Sequence, residues 1–595
     1  MSRRPLSQLT RELTDVCMGR APADLVIRGG RLVNVHTREV LDDTDVAIAH
    51  GRVAMFGDVG HTLGPETESI DAEGAYLVPG LIDTHLHVES VMVTVTRFAE
   101  AVLPRGTTTV FIDNHEMANV FGLPGMRWML EEGRPLPLKV FLAVPSCVPA
   151  LPGLEDAGAA LGAEEIAEAL GWDGVAGLGE MMNMPGVIEG DESVHAELAA
   201  TLERGRPITG HWSLAGVRDH RLQAYIAAGV DSCHETTSRE DALAKLRAGM
   251  WVQFREGSTF RDVEALAPVL TEDGVDSRHC LLVTDDVLPE TIAFDGHMDR
   301  VVRRAIAAGI APLVAIQMAT VNGAEYFGMR HDLGSIAPGR LADILFVEDL
   351  SDFRPHRVFA DGREPGSVPE FEYPEEAYGS IRLGRPVTVG DFRVEAEASG
   401  GTASVRAVGV ASGRVTTEHL VVDLPADDGE VRASAEADIA KLASIERHGG
   451  PGTIGLGFVQ GLGLKRGAVA SSIAHDNHNL LVAGMRDEDM LFAVERLVEA
   501  RGGMVAVADG EVLGLVELPI AGLLSDRSVP ELAQQTLALG KAYRALGSRI
   551  ESPEMIFSFL SLGVIPALRL TNRGLVDAVA FELVSPLVEA RPAGV

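Results

Sequence analysis

Cysteine is scarce: there are four in 595 residues, Cys17, Cys147, Cys233 and Cys280, scattered along the chain and never spaced as CxxC. That excludes a disulfide framework and a cysteine-rich zinc module. Basic residues are also short, with 51 Lys and Arg against 86 Asp and Glu, a formal net charge of −35 and a pI near 4.9. Nucleic acid and anionic membrane both need basic surface, so neither is expected as a partner. No apolar run is long enough to span a bilayer. The first residues, "MSRRPLSQLTRELTDVCMGR", lack the apolar stretch of a signal peptide, so the cytoplasm is the expected location. Instead Leu6, Leu9, Leu13 and Val16 recur every three or four residues and predict an amphipathic helix. There is no simple repeat and no low-complexity segment. What remains is 46% hydrophobic and 23% charged, ordinary for a soluble globular protein. The length predicts about three or four domains.

The order of elements narrows the fold. Residues 24 to 58 alternate apolar and polar between glycine-rich breaks and read as short antiparallel strands. The grammar then changes to eight apolar runs: "GLIDTHLH", "TTTVFIDNHE", "LKVFLAVPS", "VAGLGEMMN", "PITGHW", "VDSCHE", "MWVQFREG" and "HCLLVTDD". Helical segments such as "AEEIAEALG" and "DALAKLRAG" lie between them. Strand and helix alternating in this way predict an α/β fold with a parallel (β/α)₈ barrel. After it, "GSIAPGRLADILFVED" and "VFADG" return to the first grammar. The expected division is therefore a small β-sandwich domain from residues 1–76 and 335–400, a barrel over 77–334, and an α+β unit over 401–595. The third unit contains helices such as "DEDMLFAVERLVEARGG".

Each barrel run carries chemistry at its C-terminal edge, where barrel enzymes place their sites. In "LVPGLIDTHLHVES", His85 and His87 are two apart. On a strand they share a face, and two imidazoles aimed at one point begin a metal site. Glu180 ends the fourth run, His211 the fifth, His234 and Glu235 the sixth, and Asp285 the eighth. One histidine at a strand end is more often a hydrogen-bonded loop residue. Four histidines and two carboxylates on one rim form a donor set for two divalent ions.

This HxH, carboxylate, His, His, Asp order resembles the amidohydrolase superfamily, and within it the bacterial adenine deaminases, across nearly the whole chain. The resemblance is carried by "RGTTTVFIDNHEMANVFG", "PSCVPA", "GLGEMMNMPGVI", "FREGS", "TDD", "ATVNGAEYFGM", "GSIAPGRLADILF" and "SSIAHDNHNLLVAG". It implies metal-dependent hydrolysis of adenine to hypoxanthine and ammonia in purine salvage. His85, His87, Glu180 and Asp285 would hold one ion, and Glu180, His211 and His234 the other, with Glu180 bridging. Mn²⁺ or Fe²⁺ is expected, and Zn²⁺ also suits the donors. Such an ion lowers the pKa of bound water from about 15.7 toward about 7. Asp285 would shuttle the proton, with Asp286 on the opposite face by strand alternation. Glu235 would protonate a ring nitrogen or hydrogen-bond a ligand histidine. His115, Glu116, Asn119, Ser146, Arg255 and Glu256 are the polar candidates for gripping the purine. A homodimer is the expected assembly.

Two departures from the family pattern stand out. Trp212 follows His211 where a small residue is expected, and could narrow the pocket; Cys233 precedes His234 where an Asp is more typical. In "AHDNHN", His475 and His478 are three apart, a spacing that would share a helix face and could hold a third metal. The resemblance points instead to a domain motif near the barrel mouth. Competing readings are a cyclic-amide hydrolase with a related barrel, a deaminase of another aminopurine, and a scaffold without metals. The scaffold is opposed by the complete donor set. The zinc deaminase pattern of HxE with PCxxC is absent, although "HVE" matches its first half.

Overall fold

The computed structural model describes residues 3–213, 219–396, 401–411 and 416–588. All eight apolar runs form strands: β1 (Leu81–Leu86), β2 (Thr107–Asp113), β3 (Lys139–Val144), β4 (Val175–Met181), β5 (Ile208–Gly210), β6 (Ser232–Cys233), β7 (Trp251–Arg255) and β8 (Cys280–Val283). Strands β1 to β5 pair in chain order as one parallel sheet, and β6 to β8 as a second. Two parallel bridges, Leu86 to Asp285 and Ile208 to Val230, join the sheets at both edges. Each strand thus has a neighbour on either side, and all C-terminal ends lie on one rim. Every residue of β1, β2 and β4 is buried, as parallel strands covered on both faces require. Helices connect the strands, including His115–Gly133, Ala163–Ala169, Glu192–Leu202, His220–Ala227 and Arg239–Arg247.

The segments flanking this ring share one sheet. Strands Leu25–Asn34, Glu39–Ala49, Arg52–Gly57, Glu68–Asp71 and Tyr76–Pro79 are joined by Ile344–Val347 and Pro355–Phe359. The strand Ile344–Val347 pairs antiparallel with Tyr76–Pro79. Where a sandwich was expected, these strands make a single mixed sheet of seven. Helix Thr10–Cys17 covers part of it, burying Leu9, Leu13 and Val16 against Val26, Ala47 and Ala49. A buried charge cluster pins sheet to ring. Lys139, at the start of β3, pairs with Asp343 and, at 3.0 Å, with Asp361, which also takes Arg3 at 2.9 Å.

The C-terminal part is built on a ten-stranded sheet with helices Asp487–Glu499 and Val529–Leu546, and a small three-stranded sheet follows. It shares one apolar core with the ring, in which Val110 and Val144 belong to the same cluster as Leu442, Leu539 and Leu575. Polar contacts seal the seam. Asn477 Nδ2 donates to Glu155 Oε2 at 2.9 Å, Asn479 Nδ2 to Asp156 O at 2.8 Å, and Thr571 Oγ1 to Leu154 O at 2.6 Å.

Candidate functional site

The donor set assembles at the C-terminal rim. His85 and His87 share the inner face, as a two-residue spacing dictates. Their Nε2 atoms lie 3.4 and 3.0 Å from Glu180 Oε1, and 3.5 and 3.2 Å from Asp285 Oδ1. The other oxygen of Glu180 meets His211 Nδ1 at 2.6 Å and His234 Nε2 at 3.6 Å. Glu180 therefore stands between the two pairs of histidines. All six side chains are buried, except that His211 is partly open.

Local structure explains each placement. His87 Nδ1–H donates to the Asp113 carbonyl at 2.8 Å, which leaves Nε2 facing the carboxylates, where it can take a proton or a metal. Asp113 Oδ2 accepts the Glu180 backbone N–H at 2.7 Å. The residue before Glu180 must be glycine for that approach, since a Cβ on Gly179 would lie 2.1 Å from Asp113 Oδ2. Tyr225 Oη donates to Met181 O at 2.6 Å and accepts from His211 N at 3.1 Å, tying β4 to the turn after β5.

The charges point to a cation. Burial disfavours charge on His85 and His87, yet Asp285 and Glu180 outweigh it, lifting His85 to about 9 and His87 well above the ordinary histidine range. Burial likewise opposes charge on Glu180, but His234, His211, His85 and His87 together hold its carboxyl well below the usual range. The rim thus demands positive charge between these groups, which protons or metal can supply. His85 Nε2 and His234 Nδ1 have no hydrogen-bond partner. Two donors each about 2.1 Å from one ion lie about 3.0–4.2 Å apart. The spacings of 3.0 to 3.6 Å around Glu180 and Asp285, His211 apart, fit that window. Burial and the neighbouring His85 push His234 down to about 3, the neutral form a ligand needs. His85, Glu180, His234 and Asp285 bring ligand atoms within 4.8 Å of one another. The residues fit divalent metal.

All of these groups but His85 line one pocket. One side is the donor rim with Arg255, Glu235 and Asp286. The other is apolar, with Met182 and Phe260 from the ring and Phe559, Leu562 and Ile565 from the C-terminal part. His475 and Asp476 of "AHDNHN" enter beside His115, whose Nε2 is 3.6 Å from Asp476 Oδ1. Burial works against charge on His115, but Asp476 and Asp113 hold it well above the ordinary range.

Several expectations change here. Asp286 was expected on the opposite face, yet it lines the pocket and accepts from Ser90 Oγ. Strand β8 has already ended at Val283, and Asp285 adopts a left-handed φ of 59°, so alternation no longer applies. Of the polar candidates, His115 and Arg255 line the pocket, whereas Glu116, Asn119, Ser146 and Glu256 do not. Glu256 follows inward-facing Arg255 and turns outward, 3.6 Å from Arg300. Asn119 Nδ2 donates to His115 O at 2.9 Å and Cys147 O at 3.3 Å. Ser146 Oγ donates to the Glu180 carbonyl, and Glu116 lies beneath the pocket near Ser90, at 3.5 Å. Trp212 is buried against Tyr225 and does not narrow the pocket. Arg255 Nη1 pairs with Glu235 and, at 3.0 Å, with Asp285 Oδ2. Burial opposes charge on Glu235, but Arg255 leads in lowering it to about 2. His475 and His478 share no helix: they lie in a turn with His478 at φ 51°, and both approach Glu116 at 3.9 Å. The apolar wall had no signal in the sequence beyond scattered aromatic and aliphatic residues.

Comparison with known proteins adds the following. Residues 76–364 match the amidohydrolase family model, and residues 414–582 match the adenine deaminase C-terminal domain. A relative from Moorella thermoacetica, named adenine deaminase, is 54% identical over 98% of this chain and 99% of its own. Relatives of the same name from Clostridium botulinum and Mesorhizobium japonicum are 46% and 44% identical, each over 98% of this chain and 99% and 98% of theirs.

Proposed function

The chain belongs to the adenine deaminase family of amidohydrolases, and on that footing we propose that it hydrolyses adenine to hypoxanthine and ammonia. The observation that carries this reading is that five of the six donor residues and a set of apolar side chains line one pocket, with the sixth, His85, beside Glu180 and Asp285. We read the parallel ring as a (β/α)₈ barrel. The strand Tyr76–Pro79 pairs within the small sheet and Val394–Glu395 within the ten-stranded one, so the units are best divided as 1–79 with 335–363, 80–334, and 381–595.

His85, His87, Glu180 and Asp285 would hold one divalent ion and Glu180, His211 and His234 a second, with Mn²⁺ or Fe²⁺ the best match and Zn²⁺ acceptable. When bound, the ions supply Lewis acidity, lowering the pKa of water toward about 7. The remaining work belongs to side chains. Water must attack C6 and ammonia must leave, so one group has to take a proton and return it. Asp285 suits that role: Oδ1 faces the donor histidines while Oδ2 is tied to Arg255 at 3.0 Å. Glu235, an ionised carboxylate beside Arg255, keeps that guanidinium in place. His115, backed by Asp476, faces the slot as a proton donor for a purine ring nitrogen. Phe260, Phe559, Leu562 and Ile565 would lie along the faces of the flat base and exclude water. The acidic surface suits a small-molecule enzyme without nucleic acid or membrane partners.

The test is direct. Manganese-loaded protein should release one ammonia and one hypoxanthine per adenine, followed by absorbance and by ammonia detection. Turnover of a cyclic amide or of another aminopurine with none of adenine would overturn the reading.

A further inference from the structure

A lysine without exposed surface lies beneath the turns that carry His211 and His234. Lys245 sits in helix Arg239–Arg247 and is 0% exposed. Its ammonium donates to Glu235 O at 2.6 Å, Asp241 Oδ2 at 2.9 Å, Thr236 Oγ1 at 3.0 Å and Trp212 O at 3.2 Å, and reaches Cys233 Sγ at 3.3 Å. Three protons serve five acceptors, so the bonds are shared. Only Asp241 belongs to the same helix, one turn earlier. The other four acceptors lie at the end of β6 or on the two turns. Trp212 directly follows His211, Cys233 directly precedes His234, and Glu235 directly follows it. The turns are also joined to each other, since Trp212 N–H donates to Cys233 Sγ at 3.2 Å.

Burying an ammonium is costly unless its partners matter. A residue needed only to pack the helix on the ring would serve as well as leucine or methionine. Here the charged end passes beyond the apolar layer and holds the Cys233 thiol before one proposed ligand, the Glu235 carbonyl after it, and the Trp212 carbonyl just after another. No hydrogen bond links Lys245 to His85, His87 or Asp285 among the described residues. Trp212 and Cys233, the two departures from the family pattern, are both part of this grip and stand away from the pocket.

We propose that Lys245 is the positioning residue for the His211 and His234 half of the donor set. It fixes how far these imidazoles stand from Glu180 Oε2, 2.6 and 3.6 Å, and so sets the hold on the ion at that half. The proposal rests on the two-ion reading given above.

The experiment uses full-length protein reconstituted with manganese. Bound manganese is counted by elemental mass spectrometry and located by anomalous scattering in crystals. Wild type should show two peaks at Glu180. Lys245→Met should keep the peak beside His85, His87 and Asp285, and lose manganese affinity at His211 and His234 by about 10–100-fold, the usual effect of losing a partner behind the ligands. Lys245→Gln, which keeps a donor without the charge, should fall between. Unchanged affinity at both halves in Lys245→Met, or equal weakening of both, would overturn the proposal. If Lys245→Met does not fold, Lys245→Gln decides by the same comparison: unequal loss supports the role, and equal loss or none overturns it. A single peak or none in the wild type would overturn the two-ion reading itself, and this proposal with it.

Discussion

Asp285 and Asp286 are adjacent, and both face the pocket, yet their neighbours differ. Asp285 stands among His85, His87 and Arg255, while Asp286 is held by Ser90. Asp285→Asn keeps the size and an oxygen donor but removes the base. Adenine turnover should therefore fall by about 10²–10⁴ while substantial metal stays bound. Asp286→Asn should instead raise KM for adenine with a smaller change in kcat, because its carboxylate lines the pocket but is bonded to Ser90 rather than paired with a donor histidine. Steady-state kinetics with parallel metal counts decide the matter; near-normal kcat in Asp285→Asn with full metal would place the proton transfer elsewhere. The sequence made Asp285 legible and Asp286 misleading for one reason. Period-two reasoning holds only while the backbone is extended, and a left-handed φ at Asp285 breaks it. The same rule held at Arg255 and Glu256, where the chain leaves β7 still extended. His475 and Asp476 were visible as a motif, but their place in the pocket depends on contacts across hundreds of residues, which spacing does not encode.

At the level of elements, the eight strands were legible because apolar runs of strand length repeat between helical segments, and parallel strands are buried on both faces. The small sheet was only half legible. Its strands could be read from alternation, but whether they form one layer or two depends on pairing between segments far apart in sequence. Lys139 shows how the elements are joined. Read as an ordinary first residue of β3, it is buried between Asp343 and Asp361, both from the returning segment. Lys139→Met leaves the Asp343 carboxylate without its cation and Asp361 with Arg3 alone. Removing one partner of a buried pair costs about 3–5 kcal/mol. The urea midpoint of the first unfolding transition should drop clearly, and that of Asp361→Asn should drop less, because Asp343 keeps Lys139. Equal midpoints for wild type and Lys139→Met would show that the cluster does not hold sheet to ring.

For the whole molecule, the shared core has a sharper consequence than any single contact. Residues of the ring and the C-terminal part belong to one apolar cluster, and both supply walls of the pocket. A chain ending at residue 396 should therefore be unable to keep a folded, adenine-competent ring. Expressed alone it should be recovered mainly as aggregate, or as soluble material that binds a hydrophobic dye. A monodisperse, fully active fragment would refute this. The changes of grammar mark where the chain passes from one kind of segment to another, but composition does not reveal which apolar faces meet. The discontinuous sheet adds a matter of timing. Strand Tyr76–Pro79, already paired with Leu25–Asn34 on one side, finds its second neighbour only when Ile344–Val347 has been made, with residues 80 to 343, or 264 residues, in between. At a synthesis rate of about 5–20 residues per second, the unpaired edge waits roughly 13–53 seconds on the ribosome. Throughout that interval the nascent chain offers a bare strand edge to any passing strand, so the birth of this protein, more than its finished form, is where a holding chaperone would matter.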